Sequence, residues 1–156
     1  MFDIVIIAVG KIKENYLLNG IGEYLKRLSP YARIILEELK PEIFRRESDM
    51  EKSKNLEAER IIKCLDKYEG SHIIVLDENG KQFTSESFAD KINNLTNKKI
   101  VFVIGGSLGF GQEILNRNFD KLALSQMTFT HEMARLILVE QIYRSISIIK
   151  KKDYHH

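Results

Sequence analysis

The chain alternates between two hydrophobic rhythms. Five short runs rich in β-branched residues recur, at Ile4–Val9, Arg33–Leu39, His72–Asp77, Ile100–Ile104 and Leu122–Ser125. The first, third and fourth are nearly continuous apolar runs, the pattern of parallel strands covered on both faces. Between them the period changes. Leu17, Ile21, Tyr24, Leu25 and Leu28 fall at helical spacing, and Pro30 closes that helix. Pro41 to Lys54 is charged and reads as a surface loop running into a second helix. Ser48 and Glu51 stand at capping-box spacing for it, and it continues through Ile61, Ile62 and Leu65 to Gly70. "DENGK", Asp77 to Lys81, reads as a turn, and "SESFADKINNL" as a short helix. Strand and helix alternate throughout, so the expected class is α/β with a mostly parallel sheet of five or six strands flanked by helices, in one domain over 1–156.

The last helix, His131 to Lys150, departs from a one-faced pattern. Leu136, Val139, Tyr143 and Ile146 form one stripe, and Ile137, Leu138, Ile142 and Ile149 extend it. One sheet face asks for a stripe of about 100°. The wider surface predicts either a second subunit or a helix deeply buried within one chain, with the subunit contact favoured.

Composition narrows the classes. With 44% hydrophobic and 29% charged residues, 156 residues suffice for a core without metals or disulfides. The net charge of +2 permits a nucleic-acid partner without demanding one. Cys64 is the only cysteine, which excludes an intramolecular disulfide and fits a reducing, cytoplasmic setting. The apolar start "FDIVIIAVG" is too short to span a membrane. His72, His131, His155 and His156 show no metal-ligand spacing, so no metal is expected. His72 and Cys64 read as structural.

Chemistry concentrates in two stretches. "VFVIGGSLGFG" brings a strand into Gly105, Gly106, Gly109 and Gly111. The spacing is not the dinucleotide fingerprint. Gly106 and Gly111 match a P-loop only until Gln112, which stands where lysine belongs. Two readings remain: a plain tight turn, or a strand end whose missing Cβ atoms let backbone approach a ligand. "LSQMTFTHEMAR" leaves a strand and starts a helix that carries His131 and Arg135 one turn apart. Its backbone could bond the edge of a flat heterocycle while Leu124, Met127 and Phe129 pack on the ring.

Together "IAVGKIKENY", "EYLKRLSPYA", "FVIGGSLGF", "LSQMTFTHEMARLILVEQIYRSISI" and the terminal Tyr154-His155 resemble the ribosomal large-subunit methyltransferase H (RlmH) family of the SPOUT methyltransferases, over the whole chain. The resemblance implies a C-terminal trefoil knot, a homodimer, and transfer of methyl from S-adenosyl-L-methionine to N3 of a pseudouridine in 23S ribosomal RNA on the assembled ribosome. The alternative is a non-catalytic ribosome-binding or assembly factor of the same fold. The resemblance places cofactor contacts on Leu76, Gly105, Leu124, Ser125, Gln126, Met127, Thr128 and Phe129. His131, Arg135, Tyr154 and His155 are the candidates for deprotonating N3 or stabilising its anion. Arg144, Lys150, Lys151 and Lys152 are expected at RNA phosphates. The chain departs from the family pattern at Thr130, where the family has proline and where threonine can cap the helix, and at His156, where the family has a cation.

Overall fold

The computed structural model describes residues 1–154. Five strands form one sheet: β1 (Phe2–Val9), β2 (Ala32–Leu39), β3 (His72–Lys81), β4 (Ile100–Ile104) and β5 (Asp120–Leu122). All neighbours pair in parallel, in the order β2-β1-β4-β3-β5. The two strands with the most continuous apolar runs, β1 and β4, are adjacent and interior, and every residue of β4 is buried. Alternate side chains feed two cores, because successive residues of a strand point to opposite faces. Ile4, Ile6, Phe102 and Ile104 meet α1 (Asn15–Leu28), α3 (Ser85–Asn94) and α5 (His131–Ile149). Val5, Ile7, Val101 and Val103 meet α2 (Met50–Leu65) and the single turn α4 (Gln112–Leu115). Each fully buried Ile or Leu in these cores contributes roughly 1.5–3 kcal/mol.

Local expectations are met unevenly. The Thr130 side chain accepts the Met133 N–H at 3.2 Å and caps α5, so threonine does the work expected of it there. The capping box of α2 does not form. Ser48 lies in a short 3-10 turn, and Asp49, the N-cap, makes no side-chain cap bond. The expected fifth strand, Leu122–Ser125, is observed as Asp120–Leu122. The turn expected at 77–81 sits inside β3. Leu76 and Lys81 both pair with Leu122, so residues 77–80 loop out between them. The Asp77 carboxylate accepts the Asn79 N–H at 3.0 Å and holds that bulge.

The width of the apolar surface on α5 has a cause within the chain. α5 lies between α1 and α3 on one sheet face, and no residue from 131 to 149 is fully exposed. A β-carbon on Gly20 would lie 3.1 Å from Leu136, so α1 approaches closely. Ser85 of α3 donates to Gln141 at 3.0 Å on the other side. A helix with three neighbours needs more than one stripe.

Candidate functional site

Parallel strands end together, and here the carboxyl ends of β3, β4 and β5 open into a cavity of about 870 Å³. Leu76 is the last residue of β3 before its bulge, Gly105 follows β4, and Leu124 follows β5 by two residues. These three, with Ser125, Met127, Thr128 and Phe129, line the cavity. Gln126 is the one residue of the expected cofactor set that does not. From β5 the chain crosses back over the strand ends, so that α5 begins beside the end of β1. A β-carbon on Gly10 would lie 3.2 Å from His131 Nε2.

The glycines of the loop after β4 answer to several neighbours. Gly109 has φ +75°, which favours glycine. A β-carbon on Gly106 would touch Val9 at 3.0 Å, and one on Gly111 would touch the Lys54 carbonyl at 3.2 Å, so this loop lies tight on β1 and α2. Gly105 faces the Phe110 ring, 3.3 Å from where its β-carbon would be. Phe110 lines the cavity and escaped the sequence reading. Its signal was an aromatic residue set between two glycines.

The loop from 124 to 129 is built to offer backbone. Among the described residues it makes no backbone–backbone hydrogen bond to the rest of the chain. Its order comes from side chains instead. The Ser125 hydroxyl accepts the Met127 N–H at 3.0 Å, and Thr128 donates to Glu78, another lining residue missed in the sequence. Free N–H and C=O groups beside Leu76, Leu124 and Phe129 suit a flat heterocycle with hydrogen-bonding edges. The donor set fits the adenosyl part of S-adenosyl-L-methionine, and the cavity is large enough for it.

The four candidates for proton chemistry separate. His131 is on the cavity wall, and burial pushes its pKa below the usual histidine value, with Arg135 and Lys13 adding to the effect against Glu132. It is therefore neutral at pH 7. Arg135 is only 3% exposed. It donates to Glu38 at 2.7 Å and to the Gly10 carbonyl at 2.9 Å, and so ties α5 to the ends of β1 and β2. Tyr154 folds back on α1 and α5. Its hydroxyl is 3.1 Å from that of Tyr24 and 3.3 Å from Glu140, and its ring stands edge-on to Tyr143 at 4.6 Å. Burial, then Tyr24, raises its pKa, so it stays a neutral phenol. His155 lies outside the described residues. Among the expected RNA contacts, Arg144 is held by Glu140 at 2.8 Å and Lys152 by the Tyr31 hydroxyl, while Lys150 and Lys151 are exposed. All four sit at the far end of α5. Tyr143, beside Tyr154, is roughly 18 Å along the helix from His131 at about 1.5 Å per residue.

A parallel α/β sheet with a backbone-rich cavity at three strand ends defines a class of enzyme that holds a nucleoside-like cofactor. The family described as "predicted SPOUT methyltransferase" matches residues 2–155. Proteins named ribosomal RNA large subunit methyltransferase H are similar over nearly their whole length. That of Halothermothrix orenii is 46% identical, covering 96% of this chain and 97% of its own. That of Carboxydothermus hydrogenoformans is 46% identical and that of Bacillus pumilus 45%, each covering 98% of this chain and 99% of its own. The chain belongs to the SPOUT methyltransferases and, within them, to the family of ribosomal RNA large subunit methyltransferase H. It is an S-adenosyl-L-methionine-dependent enzyme, with the knotted C-terminal course of that architecture. Among the described residues no helix is long and apolar enough to cross a membrane, and no three His, Cys, Asp or Glu side chains are grouped to hold a metal ion.

Proposed function

We propose that this enzyme methylates N3 of a pseudouridine in 23S ribosomal RNA, on the assembled ribosome in the cytoplasm, and that it acts as a homodimer. The observation that carries the reading is the cavity at the ends of β3, β4 and β5, lined by seven of the eight residues expected at the cofactor. When bound there, S-adenosyl-L-methionine supplies an electrophilic methyl group on a sulfonium. The chain's part is alignment and proton handling. Leu76, Leu124 and Phe129 hold the heterocycle, and the 124–129 backbone reads its edge. N3 carries a proton that must leave as the methyl arrives. Arg135 is committed to Glu38 and Gly10, so its role is to position the start of α5. Tyr154, a neutral phenol, donates a hydrogen bond rather than accepting the proton. The acceptor is then one of two histidines: His131 on the cavity wall, or His155 from the tail.

The dimer follows from the tail's place. Tyr154 is moored far from its own chain's cavity, so a tail that takes part in the reaction serves the cavity of a twin. The outer surface of α1 and α5, with Leu18 exposed at 47% and Tyr143 half-buried, is the surface for that contact.

The test is tritium transfer from labelled cofactor to ribosomes lacking the modification. Wild type should transfer one methyl group per ribosome. Deleting residues 154–156 should leave cofactor affinity nearly unchanged and lower the rate by about 10²–10⁴. His131→Asn and His155→Asn, compared over pH 5 to 9, identify the acceptor as the one whose loss removes the acid limb of the profile. A chain that binds ribosomes and cofactor but transfers nothing would be the non-catalytic factor.

A further inference from the structure

Five exposed cations stand on the two segments that leave β1 and β2 and form a rim next to the cavity, and among the described residues none is paired with an acid. Lys11 and Lys13 follow β1, and Lys40, Arg45 and Arg46 follow β2.

Contacts bring Lys11, Lys13 and Lys40 together, and chain length keeps Arg45 and Arg46 within reach. Val9 pairs with Leu39, and the Gly10 N–H donates to the Leu39 carbonyl at 2.8 Å, so the segments carrying Lys11 and Lys40 leave the sheet side by side. The Lys13 N–H donates to Glu132 at 3.0 Å, and Glu132 lines the cavity next to His131. The 40–49 loop is anchored where the Glu42 N–H donates to buried Glu57 at 2.8 Å. Arg45 and Arg46 follow within four residues, at most about 14 Å of chain.

The acids of this rim are largely committed elsewhere. Glu38 holds Arg135, Glu42 holds Arg60, and Glu132 holds the Lys13 backbone. Glu14, Glu47 and Asp49 remain. Five unpaired cations against these three acids leave the rim with a local positive excess. Two exposed apolar groups interleave with the cations: the Tyr16 ring at 65% and Ile43 at 86%. Long cations around an exposed ring are the equipment for a polyanion with flat bases.

We infer that this rim, formed by the segments after β1 and β2, grips the RNA strand that leads to the target base. Lys11, Lys13, Lys40, Arg45 and Arg46 meet its phosphates, and Tyr16 stacks on an unpaired base. The inference rests on the methyl-transfer reading and adds to it a grip at the mouth of the cavity, at the opposite end of α5 from the basic tail. Phosphate contacts position the strand and leave sequence choice to other groups.

The experiment uses the full chain and ribosomes lacking the modification. Two double variants, Lys11→Glu/Lys13→Glu and Arg45→Glu/Arg46→Glu, are compared with Lys63→Glu/Lys98→Glu, which reverses two exposed cations remote from the rim. Transfer is measured against ribosome concentration and potassium chloride, and ribosome binding separately by cosedimentation. Each rim variant should raise KM for ribosomes about tenfold or more and weaken binding equally. The cofactor Kd should stay within twofold, and the salt slope should fall by about 0.7–0.9 per lost phosphate contact. Tyr16→Ala should raise KM without changing that slope. A KM within twofold of wild type, equal losses in the control, or loss of cofactor affinity would each overturn the grip. If wild type binds ribosomes but never transfers methyl, the functional reading falls. Cosedimentation of the rim variants then still decides the grip.

Discussion

Gly80 leaves no room for a side chain. A β-carbon there would stand 2.6 Å from the carbonyl carbon of Lys121, in backbone that cannot yield as a side-chain end can. It is the last residue of the bulge that lets Leu76 and Lys81 share Leu122. Gly80→Ala should push β5 away from β3 and cost about 1–3 kcal/mol, the range for overpacking. Thermal unfolding reads this directly, and an unchanged Tm would show that β5 can shift freely. Gly105 is a softer case, because its neighbour is the ring of Phe110. Gly105→Val should drive that ring into the cavity and abolish cofactor binding in titration calorimetry while the circular dichroism stays native. Normal binding by that variant would put the cofactor elsewhere.

At the scale of elements, two buried charged groups join parts that hydrophobic patterning leaves separate. Arg135 links α5 to the ends of β1 and β2, and Glu57 links α2 to the loop after β2. Glu57 is 3% exposed, its Oε1 has no hydrogen-bond partner among the described residues, and that oxygen lies 3.5 Å from where a Gly106 β-carbon would be. Burial raises its pKa, against the Glu42 N–H, which lowers it. Between the unfolded value near 4.5 and the raised folded value, the native state binds more protons than the unfolded chain. Wild-type stability therefore contains a contribution lost as pH rises through that window. Glu57→Gln cannot ionise, so the Tm difference should move in the variant's favour as pH climbs from about 4.5 toward 7. Parallel curves for the two proteins would show that Glu57 titrates normally. Neither link was legible from periodicity. Arg135 read as a catalytic candidate and Glu57 drew no reading, since partners 97 and 15 residues away leave no mark on local spacing.

For the molecule as a whole, the open matter is what covers the outer side of α5. Enclosure by α1 and α3 accounts for Leu138, Val139, Ile142 and Ile146, all buried. Tyr143 sits instead in a half-buried ring cluster with Tyr24, at 5.8 Å, and Tyr154. If that cluster faces a twin, Tyr143→Asp should convert the dimer to a folded monomer in sedimentation velocity, with cofactor binding retained and transfer lost. A wild type that sediments as a monomer at micromolar concentration would remove the dimer.

The sequence by itself determined the elements and their class. Runs of β-branched residues became strands because two-sided burial demands continuous apolar side chains, as in β1 and β4. Thr130 was readable as a cap because capping is settled within four residues. The motifs of the two loops, taken with the resemblance, pointed to seven residues that line the cavity, and missed others such as Phe110 and Glu78. Only the tertiary structure decided the strand order, which sets β4 between β1 and β3 and brings Leu76, Gly105 and Leu124 to one opening. It also decided that β5 stops at Leu122, freeing the following backbone for a ligand, and that Arg135 is a buried tie. These outcomes depend on contacts between residues far apart in the chain. Such contacts are chosen by the packing of whole faces against one another, and no local pattern encodes them.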